Sequence, residues 1–327
     1  MIKYETPYVS NVWGLFIHML MRRLNVILVL LLLFVVSSCQ RQTEHQFIYT
    51  FKNTKEATVE NVHKVIAVVT TRLDAYGVKA LVESYQGDKI SVKVYSNELD
   101  QERFNKVIVN KGKLEFWETY EAEPFLHYIF DIDEEFEKED STSQKSIQDK
   151  FVATGYLGGA ILGYFKTNDT LGLLKILNTN KSKLPQKRRL VKFLYGRPEG
   201  ERGIPIYTIK GNREDKAALT EAEITEARQG YNYVNSPIVT VQMNKEGASR
   251  WERMTGKASS ENRQIAIVVN NVVQTAPGVN GGPIKGGRTE ISGEYTVDSA
   301  REFAAVISSK ERIPKLELSK YEKVALK

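Results

Sequence analysis

The sequence contains little cysteine and histidine, with one Cys and four His in 327 residues. A single thiol excludes an intrachain disulfide framework and a cysteine-rich zinc site. The histidines have no metal-ligand spacing, and the glycines of residues 278–287 lack the GK[ST] ending of a phosphate loop. No nucleophile–base pattern is present either. The sequence therefore predicts a protein that is not an enzyme and has no catalytic residues, metal site or cofactor.

Neither sign of charge is in strong excess, because the chain has 46 basic and 40 acidic residues and a net charge of +6. This balance gives no case for a nucleic-acid partner. Hydrophobic residues make up 42% and charged residues 26% of the chain, which excludes wholesale disorder and a polytopic membrane protein. The length favours two domains.

Long apolar runs are lacking except at residues 26–36, where eleven apolar residues follow Arg22 and Arg23. A helix that spans a bilayer needs about 20 apolar residues, whereas the core of a secretory signal needs roughly 7–15. The segment therefore predicts a signal peptide. A signal anchor with an incidental buried cysteine is the alternative.

The residues after this run resemble a bacterial lipobox, because small residues precede Cys39. The resemblance implies cleavage between Ser38 and Cys39, lipidation of Cys39, and export to the bacterial cell envelope. Glu5 precedes the arginines and does not suit a signal, so Met19 or Met21 is the better predicted start.

The first folded unit is predicted at residues 46–120. Apolar residues recur on one helical face and are listed here: Val59, Val62, Ile66, Val69, Leu73 and Tyr76. Thr54 or Thr58 suits the N-cap of this helix, and Gly77 suits its C-terminal end. A hairpin turns at 86–88, a second helix ends near 109, and a strand follows at 114–120. The predicted order is β-α-β-β-α-β, which is the ferredoxin-like motif.

The second folded unit is predicted at residues 206–319, with the same type of fold. Asn244 and Thr296 suit helix caps, and Asn270-Asn271 suits a hairpin turn because Asn tolerates positive φ. A final strand begins near Leu316. The predicted fold class is α+β, with two ferredoxin-like subdomains, a base and a head, after a lipoprotein signal peptide.

Residues 121–205 separate the two units. The acidic block at 131–140 predicts a solvated loop or helix face, and the basic segment at 181–192 a solvated loop. Residues 152–165 predict a buried turn and strand, with helix pairing through the G-x-x-x-G of Gly159 and Gly163 as the alternative. The glycines and prolines of 196–205 predict a flexible joint before the head.

Two segments carry a specific resemblance. The residues that match in the base are Arg72, Asp74, Gly77, Val78, Gln86, Gly87, Asp88, Ile90, Val92 and 113–116. Those that match in the head are 266–269, Ala276, Pro277 and 291–296. Both segments resemble the first periplasmic domain, base plus head, of the SecD/SecDF protein-export family.

This resemblance implies a lipid-anchored, periplasm-facing domain that assists protein export. We expect its partners to be the Sec translocon or a SecDF membrane protein, unfolded exported polypeptide, and the membrane through the lipid anchor. Polypeptide is expected to bind a head surface near Val272, Val273 and Val279. Family members continue into transmembrane helices that couple proton flow to transport. Because this sequence stops at Lys327, we expect it to lack that motor.

The predicted organisation is a signal peptide (1–38), a lipidated tether (39–45), the base (46–120), an insertion and hinge (121–205), the head (206–319) and a tail (320–327). One alternative is an envelope lipoprotein that keeps the fold as a binding or scaffold module for an unrelated partner. Gln40 is not the aspartate associated with retention at the inner membrane. The sequence is therefore consistent with a lipid anchor in either the inner or the outer membrane.

Overall fold

The computed structural model describes residues 43–139, 151–154, 158–166 and 170–325. In these residues the α-helices are α1 (Val59–Tyr76), α2 (Gln101–Val109), α3 (Leu126–Glu139), α4 (Thr170–Thr179), α5 (Lys245–Ser260) and α6 (Val297–Ser308). The strands are β1 (Thr43–Phe51), β2 (Ala80–Tyr85), β3 (Lys89–Tyr95), β4 (Leu114–Glu118), β5 (Phe151–Thr154), β6 (Ile161–Phe165), β7 (Val191–Tyr195), β8 (Ile204–Lys210), β9 (Leu219–Thr220), β10 (Ile224–Tyr231), β11 (Pro237–Met243), β12 (Ile265–Val269), β13 (Val272–Thr275), β14 (Arg288–Ile291) and β15 (Leu316–Ala325). The predicted α+β class is confirmed.

The base consists of α1 and α2 packed on one face of an antiparallel sheet in the order β15-β1-β3-β2. Thr58 caps α1 by accepting a hydrogen bond from the Asn61 backbone N–H. Gly77 ends the helix at a φ of +84°, a left-handed conformation that glycine adopts without steric cost. Local sequence signals thus set both ends of the longest base helix.

Two strands are exchanged between the base and the head, against the prediction. The strand predicted to close the base, β4, instead pairs with β12 in the head. β15 pairs with β1, although its residues up to 319 were predicted for the head and those from 320 for a tail; pairing with β1 continues to Ala325. The first four residues of β4 are buried, so side chains on both faces of this strand must pack against other parts of the protein. Its position between β12 and β9, inside the head sheet, provides this packing. Each unit therefore contributes a strand to the sheet of the other.

The head core lies between two antiparallel sheets, β13-β12-β4-β9 and β10-β11-β14, and the helices α5 and α6. Trp251 of α5 packs edge-on against Phe116 of β4, with ring centroids 5.4 Å apart. Because the head strands are divided between two sheets, a second ferredoxin-like sheet is not confirmed.

The described residues of 121–205, together with the rest of β8 up to Lys210, form a third folded unit, which we call the insertion. Its antiparallel sheet has the order β5-β6-β8-β7, and α3 and α4 pack on it around a buried core that includes Phe125, Leu177 and Phe193. Residues 206–210 were predicted for the head but belong to this sheet, because β8 continues through them between β6 and β7. The strand predicted within 152–165 is present as β6. No helix in the described ranges is both long and apolar enough to span a membrane.

The glycines and prolines of residues 196–205 were predicted to form a joint before the head. The structure instead places them in the connection between β7 and β8, within one sheet. Gly196 N–H donates to the Pro205 carbonyl at 2.7 Å, and Gly203 has a φ of +93°. A Cβ at Gly203 would lie 2.4 Å from the Phe165 carbonyl oxygen. These glycines therefore serve the connection between β7 and β8 rather than a joint before the head.

The insertion packs on one face of the sheet β13-β12-β4-β9, which we call the central head sheet. Tyr207 and Ile209 of β8 pack with Trp117 of β4 and with Ala266 and Val268 of β12. All of β12 is buried because the head core covers one face and the insertion covers the other. This arrangement explains the continuous apolar sequence of the strand.

Arg72 lies fully buried where α1, α2 and the end of the head meet. Its Nε donates to Ser309 Oγ at 3.1 Å, and its Nη1 donates to the carbonyls of Val107, Ile108 and Asn110. Burial lowers the pKa of Arg72 to about 10, so the guanidinium is still charged at neutral pH. It therefore supplies donors to carbonyl groups that the end of α2 leaves unpaired.

We expect Arg72→Met to lower the free energy of unfolding by about 3 kcal/mol, because buried carbonyl groups lose a charged donor. The measurement is denaturant unfolding of the full chain. Arg103→Met is the matched control, since Arg103 lies on α2 but makes its ion pairs at the surface. Its loss should be much smaller. Equal losses in the two variants would contradict a special role for Arg72.

Candidate functional site

The structure separates the three valines predicted to form a binding surface. Val273 is 1% exposed and packs against the insertion, and Val279 is 9% exposed and lies in the head core. The prediction of an exposed surface is wrong for these two residues, because the insertion and the head core cover them. Val272 is half-buried and lines an open groove. Ser38 and Cys39 lie outside the described residues.

This groove, the junction groove, lies between α2, α6 and the β12–β13 hairpin, and its volume is about 340 Å³. Its apolar lining consists of Val107, Val269, Val272, Tyr295, Phe303 and Val306. Its polar lining includes Lys106, Asn110, Arg197, Asn270, Gln274 and Glu302. An apolar floor with a polar border is the usual composition of a binding cleft.

The charges at the border of the groove are largely paired. Lys106 Nζ lies 2.6 Å from Glu102, and Glu302 lies 2.7 Å from Arg103. The Arg197 guanidinium lies 5.6 Å from the ring centroid of Tyr295, which stacks on Phe303. Because Arg197 comes from the β7–β8 connection, all three folded units line the groove.

Burial raises the pKa of Tyr295 to about 12, although the nearby Arg197 opposes the shift. The phenol is therefore neutral at physiological pH. Its ring, stacked on Phe303, adds an aromatic surface to the groove rather than a charge.

Asn270 and Asn271 form the turn of the β12–β13 hairpin, with φ values of +50° and +67°. The predicted Asn-Asn turn is confirmed. Asn270 Oδ1 accepts from the Lys113 backbone N–H, and its Nδ2 donates to Asn110 Oδ1 at 2.8 Å. Asn271 Oδ1 accepts from Lys113 Nζ at 2.9 Å. These bonds fix the head hairpin against the chain that leaves the base.

The turn between β10 and β11 exposes apolar and aromatic groups that the sequence analysis did not identify. Tyr233 is 98% exposed, and Tyr231 and Val234 are also exposed. Asn232 Oδ1 accepts from the backbone N–H groups of Val234 and Ser236, which orders the turn. We call residues 231–236 the head tip. The sequence signal for this exposed turn was a pair of aromatic residues, Tyr231 and Tyr233, at the turn between two strands.

Glu118 of β4 connects its own strand to β8 and to α5. Its Oε2 accepts from Lys210 of β8 at 2.8 Å and from Lys257 of α5 at 2.7 Å. Burial raises the pKa of Glu118, but the two lysines outweigh this effect and hold it below the ordinary value of 4.5. The ionised carboxylate therefore joins the insertion to the head.

Comparison with known proteins identifies the relatives of this fold. Residues 201–310 match the family profile of the SecDF P1 head subdomain. SecD, a protein translocase subunit, from Rhodothermus marinus is 27% identical over 289 residues, which cover 78% of this chain and 45% of that protein. SecD from Magnetococcus marinus is 32% identical over 108 residues, which cover 33% of this chain and 19% of that protein. The chain thus spans about half of the first relative's length, and less of the second's.

A crystal structure of SecDF in its super-membrane-facing form has a TM-score of 0.51 and 18% identity to this chain, and the match covers 86% of this chain and 30% of SecDF. This match shows a shared fold. The resemblance to the first periplasmic domain of SecD and SecDF is confirmed, with residues 201–310 corresponding to the head.

The lowered pKa of Glu118 predicts a pH dependence of stability. The stabilisation is fully present above the ordinary pKa of 4.5 and is lost as the pH falls through the lower pKa of the folded state. We expect Glu118→Gln to cost about 1 kcal/mol at pH 7. The difference in the free energy of unfolding between Glu118→Gln and the unmutated chain should shrink below about pH 4, because the carboxylate of the unmutated chain becomes protonated.

The measurement is urea unfolding of the full chain between pH 3 and pH 7. Glu214→Gln is the control, because Glu214 is exposed and pairs with Lys216 at the surface. Its unfolding curve should match the unmutated chain at every pH. A pH-independent difference for Glu118→Gln would contradict the argument.

Proposed function

We propose that this protein assists protein export as a lipid-anchored domain that faces the periplasm, holds segments of exported polypeptide and docks on the Sec translocon or a SecDF membrane protein. The observation that carries this proposal is the match of residues 201–310 to the SecDF P1 head subdomain. The 27% identity to a SecD translocase subunit over 78% of the chain supports it. The role is one of binding rather than catalysis.

The junction groove is the proposed site for polypeptide. An exported chain that has not folded exposes apolar side chains, and the floor of the groove offers valine, phenylalanine and tyrosine side chains to bury them. Each 100 Å² of apolar surface removed from water contributes about 2.5 kcal/mol. A groove of about 340 Å³ accommodates few side chains, so binding should be weak and reversible. Weak binding suits a site that must release its substrate.

The head tip is the proposed docking contact. Exposed aromatic side chains on an ordered turn provide contact area at low cost in conformational entropy. The adjacent strand β10 lies at the edge of its sheet and is eight residues long, so a partner strand can also pair along it. None of residues 231–236 lines the junction groove, so the two can be tested separately.

The lipid on Cys39 is the proposed membrane attachment. Thr43, where β1 begins, pairs with Ala325 at one end of the base sheet, and Phe51 pairs with Leu316 at the other end, from which the chain reaches the head. A strand of nine residues extends about 30 Å. A tether at Cys39 would therefore hold the head at the far end of the base from the membrane. This position suits contact with polypeptide in the periplasm.

Placing a charge in the junction groove should weaken polypeptide binding. We expect Val272→Asp to reduce the affinity for a labelled, unfolded exported protein about tenfold, which corresponds to 1.4 kcal/mol. Fluorescence anisotropy of the labelled protein with the full chain measures this. The matched control is Val59→Asp, since Val59 is an exposed valine at the start of α1, outside the groove. Equal affinities in both variants would refute the assignment.

Crosslinking in cells tests the partner. A photoreactive residue in place of Tyr233 should capture translocon subunits or SecDF, identified by mass spectrometry. The same residue in place of Val59 should not capture them. If Tyr233 captured only unrelated envelope proteins, the protein would be a scaffold that has kept this fold, and the export role would be refuted.

A further inference from the structure

A second open pocket lies where the chain crosses between base and head. We call it the crossover pocket; its volume is about 460 Å³. One crossover, residues 110–113, leads from α2 to β4, and the other, 309–315, leads from α6 to β15. The Ile313 N–H donates to the Lys111 carbonyl at 3.1 Å, and the Lys52 N–H donates to the Lys315 carbonyl at 2.8 Å. Both crossovers and the end of β1 thus meet at this pocket.

The pocket has a strongly basic lining. The cationic residues in it are Lys52, Lys111, Lys113, Arg312 and Lys315, and Glu56 is the carboxylate in the same described lining. Like charges in one pocket repel one another, and the resulting positive potential attracts anions. None of these residues lines the junction groove.

Two of these five cations form ion pairs with buried carboxylates that do not line the pocket. Lys113 pairs with Glu115 at 2.9 Å, and Arg312 pairs with Glu221. Both carboxylates are buried, and Glu221 also accepts from the Leu114 backbone N–H. These two cations therefore have a structural role in the wall of the pocket.

The other lysines differ in their pairing. Lys52 forms an exposed ion pair with Glu317 at 3.1 Å. Lys111 and Lys315 are exposed and have no ion pair with another described residue. They belong to different crossovers, and both line the pocket. Their ammonium groups can therefore donate to a ligand without breaking an ion pair between described residues.

We propose that the crossover pocket binds a phosphate-bearing anion through Lys111 and Lys315. Lysine binds phosphate well as a point charge with several donors. The volume is in the range of small-molecule sites, so pyrophosphate, a phosphorylated small molecule or a phospholipid headgroup shares the required chemistry. An anion there would join both crossovers and stabilise the present arrangement of base and head. Anion binding to this pocket can be tested whether or not polypeptide binds the junction groove.

The test measures the thermal stability of the full chain against pyrophosphate concentration, at constant ionic strength adjusted with chloride. We expect a saturable rise in Tm in the unmutated chain. Lys111→Gln/Lys315→Gln should lower the affinity at least about tenfold, because each charged hydrogen bond is worth roughly that factor. Lys187→Gln/Lys245→Gln, which removes two exposed lysines elsewhere, should bind as the unmutated chain does.

A second double variant distinguishes a loss of anion binding from a folding defect. Lys111→Arg/Lys315→Arg keeps both charges and should keep the rise in Tm. To identify the source of the phosphate, water-soluble short-chain phosphatidylglycerol is compared with phosphatidylcholine of the same chain length in the same assay. A shift with phosphatidylglycerol that depends on the two lysines and exceeds that with pyrophosphate assigns a lipid headgroup, and would contradict the proposed tether position, which holds this end of the base away from the membrane. The reverse order assigns a soluble anion. Equal shifts in the Gln double variant and the unmutated chain, for both probes, would overturn the proposal.

Discussion

The arrangement of base and head depends on one buried guanidinium. Arg72 is enclosed by protein and bonds to carbonyl groups at the end of α2 and to Ser309 beyond α6. Gly112 of the first crossover has a φ of +74°, which glycine adopts without steric cost, and a Cβ there would lie 2.4 Å from Arg72 Nη2. Since the end of α2, the first crossover and the return from the head all contact Arg72, its position limits where the head can lie.

The exchange of strands makes base and head depend on each other. The base sheet needs β15, which follows the head in the chain, and the central head sheet needs β4, which follows α2. Neither sheet is complete without residues from the opposite side of a crossover. The junction groove exists only when both sheets have formed, because its lining comes from α2, α6 and the β12–β13 hairpin.

Local features could be predicted from the sequence, whereas pairing between distant segments could not. The limits of α1 follow from Thr58, Gly77 and the apolar spacing between them, and the Asn270-Asn271 turn follows from the tolerance of Asn for positive φ. The partners of β4 and β15 depend on contacts far apart in sequence, which periodicity does not encode. Val273 was misassigned because its burial depends on the insertion, whose fold the sequence did not reveal.

The first crossover connects the two proposed sites. Asn110 lines the junction groove and bonds to the Asn270 side chain of the β12–β13 turn, while Lys111 and Lys113 line the crossover pocket. A ligand in either site that prefers one position of residues 110–113 would change the affinity of the other. Linkage requires this effect to be reciprocal and equal in free energy. A coupling of this kind needs no long pathway, because residues adjacent in the chain contribute to both sites.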